Sequence, residues 1–390
     1  MSRVTDGGPV SASHPQSDGV GQGGPAANLS LRDWLVSTMP PDASAEQVEA
    51  VYGRRATLRV DPAVLEDRLV AWTATGGARR DPIVDALQRG VTQGLKYDAV
   101  YREHHGGRRY AYAVPGHRGS VVLSHNAWKR LPRPRAVLQS TPGALRPAVL
   151  PPVGHLFLDV DLRGAFPAIA AAVARDPAMQ ADVDDDIHRR VGEALVPRAL
   201  HPRAVGKALN NSLISGMTPF GVRRDLGAAG VPLTLAQAQA LHAAWWARYP
   251  DFAAWVAGFE HFLRGQARAN QGVDFADPTG RTYSYGPAEV RGWDLDRDGL
   301  DPVAGARSIL SSLWRAAEGA ILDRALVLLQ ERRNESHKLT LAIPMYDGAL
   351  YVVPEDNAEH GRAWVRWAFE TALGESHVRT GATVDVRERW

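Results

Sequence analysis

The sequence predicts an α+β protein, and three observations carry that expectation. HLFLDVDL (155–162) is a compact apolar β run that ends in acids. LTLAIPMYDGALYVVP (339–354) reads as two strands joined at Tyr346–Asp347–Gly348. Between and after them lie long helical patterns, Ala236–Gln266 and Ala304–Gln330 above all, so helices and strands mix in one chain.

Composition narrows the class. A chain of 390 residues makes one large or two ordinary domains, with enough length to bury a real core. Its 45% hydrophobic and 23% charged residues describe a soluble globular protein. No apolar run approaches the roughly 18 residues of a membrane span, so no membrane partner is expected. Cysteine is absent, which excludes disulfides, thiolate metal sites and Cys nucleophiles and fits a cytoplasmic protein. The net charge of +2 does not itself announce nucleic acid, but its distribution is suggestive. Between Arg102 and Arg146 stand eight Arg and one Lys against a single acid, Glu103.

The elements come in this order. Residues 1–27 are Gly/Ser/Pro-rich and lack a signal peptide's apolar core, so they read as a disordered tail. Leu29 to about Leu87 reads as two or three helices broken by Pro40, Pro62 and Gly76–Gly77. Residues 106–123 alternate around Gly and Pro as short strands, and 132–152 is a Pro-punctuated connection. After the strand at 155–162, Ala168–Val173 is helical, Asp182–Asp186 forms an acidic turn, and a helix starts at Ile187. The run at 203–215 is a helix opened by Pro202 and closed by Gly216. Ala236–Gln266 is interrupted near Tyr249–Pro250, and hairpin strands are expected around Thr282–Tyr285. A helix at Ala358–Leu373 and a strand at Thr383–Arg387 complete the pattern. The division is a tail (1–27), an N-terminal region (28–150) and a main domain (151–390).

Chemistry concentrates in HPRAVGKALNNSLISGMTPFG (201–221). Arg203, Lys207 and Asn211 stand at i, i+4 and i+8 and share one helix face. Two cations one turn apart can hold the same polyphosphate, whereas the bland reading is a solvated basic face. Asp161 ends one strand and Asp347 occupies the turn between two others. Carboxylates fixed at strand ends can hold two hard divalent cations a few ångströms apart, as two-metal phosphoryl transfer requires. Either Asp alone would pass for a turn residue. Together the order is carboxylate strand, cationic helix, carboxylate hairpin.

With these residues in place, the chain resembles the DNA polymerase I family (family A polymerases). LFLDVDLRGAFPAI (156–169) is similar to the first palm motif, with Asp161 at the metal-binding aspartate, and DDDIHRRV (184–191) to the Asp-Ile-His segment. RAVGKALNNSLISGMTPFG (203–221) resembles the fingers helix, keeping Arg203, Lys207, Asn210, Gly216 and Phe220–Gly221. WWARYPDF (245–252), PTGRTYSYGP (278–287) and ARSILSSLWRAAEGAILDRAL (306–326) resemble the Tyr-Pro segment, the Gly-Arg turn and the long palm helix. MYDGALYVV (345–353) is similar to the last palm motif, with Asp347 as second metal ligand, and GHRGS (116–120) faintly resembles a duplex-contacting motif.

The resemblance implies a right-hand polymerase fold: a palm with antiparallel sheet, helical fingers at about 187–270, and a reduced thumb-like N-terminal region. It implies DNA synthesis from nucleoside triphosphates on a primer–template, with two Mg²⁺ ions (or Mn²⁺) at Asp161 and Asp347. Arg203, Lys207 and His188 would grip the triphosphate, with Lys207 aiding pyrophosphate departure. Arg118, Arg307 and Arg315 would touch nucleic acid, although Arg315 stands where the family usually has Gln.

Other positions depart from the family. Phe166 replaces the Glu that blocks a ribose 2′-OH, Asn211 an aromatic that packs on the sugar, and Ser215 a Tyr at the template base. Tyr346 and Gly348 flank Asp347 in place of His and Glu. Catalysis with unusual selection of sugar, template or substrate is therefore expected. Primase- or RNA-polymerase-like synthesis, template-independent addition and a degenerate nucleic-acid binder are the alternatives. Residues 28–160 leave no room for an exonuclease domain, so weak, salt-sensitive binding is expected unless an accessory protein adds grip.

Three further patterns have plain readings. DLDRDGLD (294–301) opens like an EF-hand loop, but Gly305 stands at its twelfth position, so an acidic surface loop is expected. Trp245, Trp246, Tyr249, Phe252 and Trp255 repeat at helical spacing and read as core. His104–His105 lacks a third ligand at suitable spacing and reads as a loop pair.

Overall fold

A computed structural model describes residues 56–77, 82–95, 97–103, 109–115, 138, 141–197, 199–228, 230–276, 282–287, 290, 293–294, 299–300, 302–331, 338–345 and 347–390. Expectations for the tail, the first helix after Leu29, His104–His105, Arg118, the middle of the acidic loop and Tyr346 fall outside these residues.

In chain order, β1 (Arg59–Val60) leads into α1 (Pro62–Ala74), which starts at Pro62 as the sequence predicts. Asp61 caps it, accepting from the amides of Ala63 and Val64. Helix α2 (Pro82–Gln93) comes next, then the hairpin β2 (Tyr97–Glu103) and β3 (Arg109–Pro115). The sequence reading places strands only in the second arm of this hairpin. Strand β4 (Val149–Leu150) returns to pair with β1, and Trp390 closes on it, donating its amide to the Val149 carbonyl at 3.1 Å.

Strand β5 (His155–Leu162) forms as expected and feeds α3 (Ala165–Ala174). The next segment corrects the expected acidic turn. A separate helix, α4 (Pro177–Asp184), capped by Asp176, takes in the first three residues of that turn, and only Asp185–Asp186 turn before α5 (Ile187–Leu195). Asp182 lies inside α4 and is buried, because Arg248, Tyr249 and Arg190 all donate to its carboxylate. From sequence the acids read as a solvated turn because the partners that satisfy Asp182 lie up to 67 residues away. Helix α6 (Pro202–Ile214) is next, then α7 (Pro219–Ala228), α8 (Leu235–Arg248) and α9 (Pro250–Arg268). Pro250 breaks α8 from α9, since a proline there leaves no amide to continue the helix. Trp245, Tyr249 and Phe252 around that break are buried, and Phe252 packs against Trp314. The aromatic stretch is core.

The hairpin β6 (Val273–Ala276) and β7 (Thr282–Tyr285) and the short pair β8 (Trp293–Asp294) and β9 (Gly299–Leu300) lead to α10 (Pro302–Glu331). Then come β10 (Thr340–Pro344), β11 (Gly348–Pro354), α11 (Ala358–Glu375) and β12 (Ala382–Arg387). Four strands make one antiparallel sheet in the order β10-β11-β5-β12. Helix α11 packs across it through Val365, Ala368, Phe369 and Ala372. A Cβ on Gly361 of α11 would lie 3.2 Å from Leu158, so Leu158, Val160 and Leu162 face that helix. Alternation sends Asp159 and Asp161 to the opposite face. Among the described residues no helix is long and apolar enough to cross a membrane.

Candidate active site

The exposed end of β5 and the bend before β11 make the floor of a cleft. Gly348 pairs with Asp161 across the sheet, and the Asp347 carbonyl accepts from the Leu162 amide at 2.9 Å. A Cβ on Gly348 would lie 1.9 Å from the Val160 carbonyl oxygen, so only glycine lets this backbone close on β5. That approach sets Asp347 beside Asp161 at the floor of the cleft, where the charge of one acts on the other. Crowding by the cleft walls and then repulsion from Asp347 push the Asp161 carboxyl up to about 7. Burial pushes Asp347 in the same direction, against the pull of Lys207. On the neighbouring strand Thr383 pairs with Asp161 and donates its hydroxyl to the Asp161 carbonyl at 3.2 Å.

Helices α5 and α6 make the wall. Val205, Leu209 and Leu213 turn inward, which leaves Arg203 and Lys207 on the open face with Asn211 half-buried below them. The two helices touch backbone to backbone. A Cβ on Gly206 would fall 1.8 Å from the His188 carbonyl oxygen, and one on Gly192 the same distance from that of Pro202. Arg203 Nε donates to Asp186 Oδ2 at 2.8 Å, tying the wall's first cation to the cap of α5. His188 is only 4% exposed. Its Nδ1 lies 3.1 Å from Asn210 Nδ2, and Asn210 Oδ1 accepts from Trp245 Nε1 at 2.8 Å. With Nδ1 accepting, the ring proton sits on Nε2, which faces Gly164 at the cleft. Burial, then Lys207 and Arg203, hold the imidazole down to about 4, so it is neutral near pH 7.

Wall and floor enclose a cleft of about 520 Å³ that brings together Asp161, Phe166, His188, Arg203, Lys207, Asn211, Arg315 and Asp347. An adjoining cavity of about 490 Å³ shares Arg163, Gly164, His188 and Arg203 and adds Arg379. Ser215 and Arg307 lie elsewhere, in a depression at the far end of α6. Glu318, Arg163 and Thr383 also line the cleft and have no counterpart in the sequence reading. Glu318 carried a usable signal: it shares the helix face of Arg307, Ser311 and Arg315 and interrupts an apolar run.

The donor set suits hard divalent cations. Two neighbouring carboxylates, both raised by burial and Asp161 also by repulsion from Asp347, face a space walled by Arg203, Lys207 and a neutral His N–H donor. Among the described residues no three acids or histidines converge as a complete ligand set, which fits ions that keep several waters or phosphate oxygens.

No protein-family model matches the sequence, and no curated protein sequence matches it. The structure is similar to that of the POL domain of Pol1 from M. smegmatis in complex with DNA primer-template and dNTP. The TM-score is 0.60 at 15% identity, covering 93% of this chain and 64% of the other, so this chain spans just under two-thirds of that domain's length. The likeness is one of fold: a mixed helix-and-sheet chain, its central sheet antiparallel, built like a DNA polymerase domain.

Proposed function

We propose that this chain is a template-directed nucleotidyltransferase that adds dNTPs to a primer 3′-OH and releases pyrophosphate. The observation that carries the reading is the convergence, in one cleft of a polymerase-like fold, of paired Asp161 and Asp347 with Arg203, Lys207 and His188. Asp161 and Asp347 would hold two Mg²⁺ ions (or Mn²⁺), which when bound supply activation of the 3′-OH and neutralise charge at the leaving group. Arg203 exchanges Asp186 for the triphosphate, and the neutral His188 donates Nε2–H to a phosphate oxygen. The 3′-oxygen bonds to the α-phosphorus, the bond to pyrophosphate breaks beside Lys207, and the hydroxyl proton leaves to solvent. Phe166 and Asn211, which line the cleft, would meet the sugar, while Arg315 and, farther out, Ser215 and Arg307 would serve the template side. A cytoplasmic setting and an accessory protein that adds grip on the duplex complete the reading.

A second reading rests on Phe166. It lines the cleft where the resembled family has a Glu, so sugar exclusion depends on ring volume alone, and NTP use or primer-free synthesis results if that volume is insufficient. Primer extension with Mg²⁺, comparing dNTPs with NTPs on primed template, unprimed template and single strand, tests both. Template-directed dNTP addition supports the first reading, NTP products or primer-free products the second. Extension of a lone strand indicates terminal transfer. DNA binding with no product in any arm leaves a degenerate binder and overturns both readings.

A further inference from the structure

Helix α10 carries an acid where its surroundings are apolar. Glu318 is 5% exposed, and Ala317, Ala320, Ile321 and Leu322 beside it are buried. Its side chain lines the same cleft as Asp161 and Asp347. Among the described residues it makes no hydrogen bond or ion pair. A carboxylate so placed costs several kcal/mol unless something compensates it. The protein does not do so: on top of burial, repulsion from Asp347 outweighs the attraction of Arg315 one turn earlier on α10. An unpaired acid facing two others is held protonated while the cleft is empty, and it ionises at little cost once positive charge stands between them.

We propose that Glu318 is a third carboxylate of the cation site, standing one layer behind Asp161 and Asp347 and acting on bound divalent ions through their water. This rests on reading Asp161 and Asp347 as the ion-holding pair. The three acids do not converge as direct ligands, which assigns Glu318 to the outer layer. Outer acids of this kind hold metal-bound water in place and add charge without entering the coordination sphere.

The test uses the full chain with Mn²⁺ alone, free Mn²⁺ being read by electron paramagnetic resonance. Glu318→Gln should weaken Mn²⁺ binding about tenfold. Its unfolding midpoint in EDTA should equal or exceed that of wild type, because a neutral amide of the same size replaces the buried acid. Glu318→Asp, which keeps the charge on a shorter arm, should fall between the two in affinity. Asp161→Asn should abolish binding. If Glu318→Gln binds Mn²⁺ like wild type while Asp161→Asn does not bind, the outer carboxylate is overturned and the paired-aspartate reading stands. If Asp161→Asn also binds like wild type, the paired-aspartate reading fails and takes this inference with it.

Discussion

The two sides of the cleft are built on opposite principles. On the wall, polar groups pair with protein: Arg203 has Asp186, His188 has Asn210, and Asn210 has Trp245. On the floor Asp161 and Asp347 have chiefly each other, and Glu318 adds a further like charge. The wall is a finished structure that waits for a ligand to exchange with. The floor carries acids that pair with no cation among the described residues, and on the proposed reading divalent cations complete it. Stability and function should therefore separate on the floor and move together on the wall.

The largest effect should come from the floor. Asp347→Asn is expected to lower nucleotide addition by at least ~10³-fold, on the order of 4 kcal/mol of barrier. In EDTA at neutral pH the same variant should unfold no lower than wild type, since one of two repelling carboxylates is gone. Primer extension and thermal unfolding on one preparation check the pair. A variant that loses stability together with activity would show that the floor is braced after all.

On the wall the next effect reverses that pattern. Gly206→Ala puts a methyl 1.8 Å from the His188 carbonyl oxygen, which is backbone and cannot swing aside. Helices α5 and α6 must part, at a cost of about 1–3 kcal/mol, and the dNTP KM should rise with it. Chemical denaturation and steady-state kinetics would sharpen the contrast. An unchanged midpoint would mean that the wall's packing is looser than its geometry indicates.

A smaller wall effect is expected from Asn210→Leu. It strands the Trp245 indole N–H and frees His188 Nδ1, at a cost of about 1–3 kcal/mol for the buried donor left unpaired. Freed of its partner, the imidazole can turn, so KM should rise more than kcat falls. Equal losses in both would place His188 outside triphosphate binding.

The same contrast explains what the sequence discloses. Asp161, Arg203, Lys207 and Asp347 stand out because each is marked locally, by a strand end, a helical spacing or a turn. Strand β5, the β10–β11 hairpin, α6 and the break at Pro250 are legible for the same reason: period and proline act within a few residues. Glu318 is marked only as an acid that interrupts an apolar run, and the path of α10 across the cleft is what gives it its neighbours. Asp182 reads wrongly from sequence because its partners arrive from α5, α8 and the start of α9. The glycines at 206 and 348 look like ordinary helix and turn glycines, and their reason is a backbone that packing brings from elsewhere.

The smallest effect is one of pH, and there floor and wall carry opposite signs. The Asp161 carboxyl is raised in the folded protein to about 7 from its ordinary value near 4. Its contribution to stability is whole below the unfolded value and is lost as pH rises through 7. His188 is held down to about 4, so its contribution is whole above 6.5 and is lost as pH falls through 4. Between pH 4 and 7 the floor thus favours acid and the wall favours base. Urea denaturation in EDTA across that range should show a shallow wild-type profile, the two slopes opposing. Asp161→Asn should tilt the profile toward pH 7 relative to wild type, although Asp347 and Glu318, both raised by burial, keep part of the floor's opposing slope. On the proposed reading, in which cations bind the ionised pair, saturating Mg²⁺ should tilt the wild type the same way. If wild type and Asp161→Asn run parallel in EDTA, the Asp161 carboxyl is not raised by its place beside Asp347 at the floor of the cleft.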